Sequence, residues 1–187
     1  YVALGYAVLV VDIYGMDVRP QTYEEAQPIV AQLKRQPSQV RPVVAAAYTA
    51  LAQCPEVDGA RIGAAGYCIG GMAVLELGRN ANELAGITTF HGHLATDLKA
   101  DPGTLKASIL ALHGAEDPTI PDNMVAEFVT EMRSAQADWQ LVQFGNQVHA
   151  FTDSNACKPG LACYDEKTDR RSWRMMTNFF EEVLTTN

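Results

Sequence analysis

Short apolar-rich runs recur along this chain at residues 7–12, 62–65, 85–90, 109–112 and 139–144. Runs of this length and β-branched content suit strands buried on both faces of a parallel sheet. Between them the apolar period lengthens to that of a helix. Val40, Val43, Val44, Ala47 and Leu51 fall on one helical face behind Ser38, which is placed to cap it. A second helix follows at about residues 70–79. A third carries Val125, Phe128, Val129 and Met132 behind a capping Asp122. The last presents Trp173, Met176, Phe180 and Val183 on one stripe. Residues 16–37 are polar and broken by Pro20, Pro28 and Pro37, which predicts an excursion with one short helix near 23–33. Pro102-Gly103 marks a loop over 95–106, and a second long loop spans 152–168. Alternation of strands and helices from end to end predicts a single α/β domain over residues 1–187. Its mostly parallel sheet would be covered by helices on both faces.

The pattern is sharpest at Gly66-Tyr67-Cys68-Ile69-Gly70-Gly71. An apolar run leads into it and a helical run leads out. A nucleophilic side chain between two glycines, on a strand-to-helix turn, is the G-x-S-x-G elbow with cysteine in place of serine. The glycines are expected because side chains two residues either side of the nucleophile would collide across so tight a turn. The geometry lifts the Cys68 sulfur off the sheet and sets it at a helix N-terminus, which favours a thiolate.

Two later strands end in groups that complete this chemistry. The run at 109–112 leads to His113-Gly114-Ala115-Glu116-Asp117-Pro118, and the run at 139–144 leads to Gln147-Val148-His149. Ligands of open parallel sheets bind beyond the carboxyl ends of the strands. The order nucleophile, acid, histidine is that of the α/β-hydrolase triad. In this reading His149 takes the proton of Cys68 and later gives it to the leaving group. Asp117 holds the imidazole tautomer. Glu116 is the alternative acid, although the strand-Gly-x-x-Asp register favours Asp117. The Ile69 N–H would form half of an oxyanion hole. The other half belongs to a loop after an earlier strand, and none precedes residue 1, so further strands are expected ahead of it.

Composition narrows the partners. The chain has 187 residues and a net charge of -8, which argues against a nucleic-acid partner. No apolar run is long enough to span a bilayer, so no membrane partner is expected. The opening residues carry neither a basic leader nor a signal-peptide cleavage site. His91, His93 and His113 invite a metal reading, but no acidic or cysteine partner at useful spacing completes a ligand set. No metal and no cofactor are expected. His91, Tyr14 and Phe151 are candidates for the substrate-pocket wall. Among the four cysteines, Cys54 reads as a small buried hydrophobe. Cys157 and Cys163 bracket a Pro-Gly turn that would bring them together as a loop staple. A cytoplasmic location is expected, or a periplasmic or secreted one if that pair is bonded. A monomer or homodimer is expected.

The elbow, the run from Tyr6 to Gly15, the segment from Gly114 to Asp117 and Val148-His149-Ala150-Phe151 together resemble the dienelactone hydrolase family. The resemblance extends through Phe90-His91-Gly92 and through residues 169–180 with their Ser172-Trp173 pair. It implies an α/β-hydrolase fold, a triad of Cys68, His149 and Asp117, and hydrolysis of small lactones or esters. The family's domain has further strands before the run that opens this chain. They carry the second oxyanion donor and an acidic residue that modulates the cysteine. Its dienelactone enzymes hold a substrate carboxylate with arginines, one shortly after the catalytic histidine. The corresponding position here is Asp153, which points to neutral substrates unless another cation, such as Arg19, takes the role. A different class of function also fits: a catalytically silent binder of a small molecule or partner, with Cys68 as a redox-sensitive thiol.

Overall fold

The computed structural model describes residues 1–80 and 82–185. Its centre is a four-stranded, all-parallel sheet in sequential order. The strands are β1 (Gly63–Tyr67), β2 (Gly86–Phe90), β3 (Ser108–Gly114) and β4 (Trp139–Phe144). Helices α1 (Tyr23–Arg35) and α2 (Arg41–Ala52) precede the sheet. Helix α3 (Ile69–Arg79) links β1 to β2, and α4 (Asp122–Ser134) links β3 to β4. A small hairpin of β5 (Cys157–Lys158) and β6 (Ala162–Cys163) leads into the closing helix α5 (Glu166–Leu184). The register pairs Tyr67 with Phe90, Phe90 with Leu112, and Gly114 with Phe144. The carboxyl ends of the strands therefore lie along one edge, and every group of the site emerges there.

Side-chain parity on the strands builds two cores. Ile87, Ile109 and Ala111 face the helices α2, α3 and α4, meeting Val44, Leu75, Phe128 and Met132. Phe90, Leu110 and Leu112 face the other way, against Met176, Phe179 and Phe180 of α5. Burying side chains of this size contributes about 1.5–3 kcal/mol each. The sheet is thus covered on both faces, as the alternating pattern predicts.

One polar cluster runs through the first core. The Arg79 guanidinium bonds Glu131 at 2.7 Å and 2.9 Å, Glu76 at 2.9 Å and the Leu94 carbonyl at 2.8 Å. Arg41 reaches Glu76 at 2.8 Å. These ions tie α2, α3, α4 and the 94–100 loop together, and Glu76, Arg79 and Glu131 are buried. Charges taken out of water persist only with partners this complete.

The structure departs from the sequence reading at several elements. Residues 7–12 pair with no strand among the described residues, and Val8, Leu9, Val10 and Val11 are exposed, Val10 by 88%. A strand exists only through a hydrogen-bonded neighbour, and an apolar cavity of about 700 Å³ lies between this run and β1. Ser38 does not cap α2. It sits in a 3₁₀ turn (Pro37–Val40), with its N–H and hydroxyl both donated to Asp97 at 2.9 Å and 2.7 Å. That helix starts at Arg41, with no side-chain cap, and Pro42 stands in its first turn, which its fixed φ suits. Asp122 is the first residue of α4 rather than its cap, and its carboxylate favours the positive end of the helix dipole. Cys54 is exposed beside Glu56 rather than buried. Trp173 is 37% exposed and packs edge-on to Tyr1 at the margin of the α5 stripe.

Candidate active site

The turn after β1 is the elbow the sequence encodes. Cys68 has φ 51° and ψ −117°, a region that few non-glycine residues occupy. Its N–H is held by the Phe90 carbonyl at 3.0 Å, and its own carbonyl accepts from Gly71 at 3.1 Å. A Cβ on Gly66 would sit 2.1 Å from the Gly70 oxygen. One on Gly71 would sit 2.3 Å from Thr89 Oγ1 and 2.8 Å from Gly92 Cα. Gly70, by contrast, has open space around it, so the steric demand falls on Gly66 and Gly71 rather than on both flanking glycines of the motif.

The strand ends bring Cys68, His149 and Asp117 into one hydrogen-bonded line. His149 Nε2 lies 3.1 Å from Cys68 Sγ, and His149 Nδ1 lies 2.7 Å from Asp117 Oδ2. Glu116 is exposed and has no part in this line, whereas Asp117 is buried. Asp117 is itself fixed by Thr119, which donates both its N–H and its hydroxyl to Oδ1 at 2.8 Å. The sequence reading missed Thr119; its signal is the Asp-x-Thr spacing of an Asx turn. The main chain of His149 rests on the hairpin: its N–H donates to the Leu161 carbonyl at 3.2 Å, and its carbonyl accepts from Cys163 at 3.0 Å.

Electrostatics polarise this line toward a charge-separated pair. Burial raises the Cys68 thiol, but the hydrogen bond and charge of His149 oppose it. With the Lys34 ammonium and the Ile69 N–H added, they bring the thiol below its ordinary value. Burial lowers His149, while the bonds to Asp117 and Cys68 outweigh that and raise it to about 9. Burial raises Asp117, and the His149 and Thr119 hydrogen bonds bring it below the usual carboxylate range. All three shifts favour thiolate, imidazolium and carboxylate together. Lys34, near the end of α1, is a contributor that its sequence position in a polar excursion did not reveal.

The other predicted residues divide. His91 stands beside the triad, its ring edge-on to His149 with centroids 5.0 Å apart and its Nε2 2.8 Å from Thr152 Oγ1. Burial, then the charge of His149, lowers it to about 3, so it is a neutral neighbour. Cys68, His91 and Ala150 are all non-glycine residues with positive φ, which concentrates backbone strain at this edge. Tyr14 is half-buried and lies within the field of Cys68, which with burial raises its phenol. Phe151 is fully buried between His91 and Phe144, so it backs the site rather than forming its wall. Asp153 is exposed, with its carboxylate turned to the Asn155 N–H at 2.9 Å. Arg19 is held by Asp12 at 2.8 Å. Among the described residues, no three His, Cys, Asp or Glu side chains are grouped to hold a metal ion.

With this geometry in view, the comparisons with known proteins decide the family. The family model described as "Dienelactone hydrolase family" matches residues 1–184. The chain belongs to the dienelactone hydrolase family. It is 33% identical over 150 residues to an uncharacterised protein of Caenorhabditis elegans, covering 78% of this chain and 94% of that one. It is 27% identical over 156 residues to a Bradyrhizobium protein named as a probable 2-oxo-3-(5-oxofuran-2-ylidene)propanoate lactonase. That match covers 79% of this chain and 62% of the relative. Among solved structures, a dienelactone hydrolase-like promiscuous phosphotriesterase from metagenomic libraries superposes with a TM-score of 0.89 at 36% identity. The match covers 98% of this chain and 77% of that one. The fold is that of the α/β-hydrolases, and family and fold together support a hydrolase of esters or lactones.

Proposed function

We propose that this protein hydrolyses small, neutral carboxylic esters or lactones through a cysteinyl acyl-enzyme built on Cys68, His149 and Asp117. The observation that carries the reading is the unbroken line Sγ–Nε2 at 3.1 Å and Nδ1–Oδ2 at 2.7 Å beneath a strained elbow. The Cys68 thiolate attacks the carbonyl carbon, and the developing oxyanion meets the Ile69 N–H at the start of α3. His149, already carrying a proton, gives it to the leaving oxygen as the tetrahedral intermediate collapses to a thioester. It then takes a proton from the incoming water, which attacks the thioester and restores the thiolate. Asp117 stabilises the imidazolium throughout. Since the shifts of Cys68 and His149 both favour the charge-separated pair, His149 in this reading works first as an acid.

Steady-state hydrolysis of p-nitrophenyl acetate tests the unit. Cys68→Ala and His149→Ala are each expected to lower kcat by about 10³-fold or more, with the double variant little worse than either, because residues acting as one unit are non-additive. Independent, multiplying losses overturn the reading. The 36% identity to a dienelactone hydrolase-like promiscuous phosphotriesterase favours one further substrate class. The same thiolate can attack phosphorus in a neutral phosphotriester, so a p-nitrophenyl phosphotriester belongs in the same assay. Release of nitrophenolate that disappears in Cys68→Ala supports it.

A further inference from the structure

Cys157 and Cys163 lie outside the triad, and both are free thiols. They face each other across the β5–β6 hairpin as direct register partners. The flanking pair is hydrogen-bonded, with Tyr164 N–H donated to the Ala156 carbonyl at 3.0 Å. In an antiparallel ladder hydrogen-bonded and non-hydrogen-bonded pairs alternate, so Cys157 and Cys163 form a non-hydrogen-bonded pair. Such pairs bring their Cα atoms to about 4.5 Å, inside the span of about 4.4–6.8 Å that a disulfide bridges. The turn between them is fixed. Pro159 and Gly160 take its central positions, Gly160 with φ 75°, and Leu161 N–H closes it on the Lys158 carbonyl at 3.0 Å. Cys157 is exposed and Cys163 half-buried, so a small oxidant reaches the pair.

We propose that Cys157 and Cys163 are a thiol–disulfide site whose oxidation locks the hairpin on which the main chain of His149 rests. The hairpin is joined to His149 by the Leu161 and Cys163 backbone bonds, and His149 and Ala162 form a parallel bridge. Closing the bridge restricts β6 and, through it, the backbone of His149. The oxidant is a low-molecular-weight disulfide such as glutathione disulfide. The thiolate of Cys157 attacks one sulfur, forms a mixed disulfide and releases one glutathione thiolate. The Cys163 thiolate then attacks the Cys157 sulfur and expels the second glutathione. The protein loses two hydrogens and the oxidant becomes two glutathione thiols.

The test incubates the folded protein with glutathione disulfide, alkylates the remaining thiols and maps the peptides by mass. The expected peptide over residues 157–163 is two hydrogens lighter and carries neither glutathione nor alkyl group. In Cys163→Ser the glutathione is expected to stay on Cys157, because its resolving partner is gone. Free thiols, or stable glutathione adducts in the unsubstituted protein, overturn the site. Amide exchange of the segment 149–163, followed in the oxidised and reduced protein, tests the coupling without reference to catalysis. Several-fold slower exchange on oxidation, absent in Cys163→Ser, is expected. Equal exchange in both forms shows that the bridge does not reach His149.

Discussion

Asp153 follows His149 by four residues and carries a charge that a carboxylate-binding site would not place there. The structure removes the nearest compensation, since Arg19 is bonded to Asp12 and to the Gly15 and Val18 carbonyls. The field of Asp153 reaches His91, which stands against the triad. A substrate with a free carboxylate therefore approaches a negative group and a net charge of -8. The expected result is a higher kcat/KM for a methyl ester than for the matching carboxylate-bearing lactone. Asp153→Arg should move the ratio several-fold toward the acid, and more at low salt, as exposed charges are screened. A ratio indifferent to the substitution would place Asp153 outside substrate recognition. At this scale the site was largely legible. Six residues encode the elbow, and Asp117 and His149 follow strands in the right order. Thr119 carried a local signal in its Asp-x-Thr spacing, whereas Lys34 was not legible, because nothing local marks which distant cation the fold carries to Cys68.

At the scale of elements, the strands after the elbow and the last two helices were legible from their period. The run at 139–144 matches β4 residue for residue, and 85–90 differs from β2 by one position. Residues 7–12 read equally well as a strand, yet a strand is defined by a partner that lies elsewhere in sequence. The buried ions were illegible for a related reason. Glu76, Arg79 and Glu131 look like solvent-facing helix charges until α3 and α4 are packed together. Their removal is expected to be costly. Arg79→Leu leaves Glu131 buried without its cation and Glu76 with Arg41 alone, and should destabilise the protein by about 3–5 kcal/mol in urea unfolding. Recovery toward wild-type stability is expected when Glu131→Gln is added, since the uncompensated charge is then gone while Glu76 keeps Arg41. A loss below about 1 kcal/mol for Arg79→Leu would mean that water reaches the cluster.

Across the whole molecule, the buried histidines set the acid limit. His91 and His93 are neutral, lowered to about 3 and about 4, chiefly by burial. Burial lowers His113 as well. Nδ1 of each finds no hydrogen-bond partner among the described residues, and burial outweighs the neighbouring groups that favour the charged form. In the unfolded chain these groups take protons near their ordinary value of 6.5. Between about pH 6 and pH 4 the unfolded state then binds more protons than the folded one, and stability rises with pH. His91 and His93 together give a slope of roughly 2–3 kcal/mol per pH unit over that window. His149, whose folded value is raised, is protonated in both states there and adds nothing; its contribution fades only as pH climbs through about 9. Unfolding free energies across this range should show that slope, and His91→Gln should remove about half of it. A flat profile would contradict the assignment of neutral, buried imidazoles.

The claim that Cys68 forms a thioester intermediate is tested most directly by intact mass. The folded protein is mixed with p-nitrophenyl acetate, quenched in acid within a turnover and weighed, and the modified residue is located by peptide mapping. The account predicts one added acetyl group, on Cys68, that forms with the burst of nitrophenolate and decays as turnover proceeds. It predicts no adduct and no burst in Cys68→Ala. An acetyl group carried through turnover by another residue, or hydrolysis at an undiminished rate by Cys68→Ala, would contradict it.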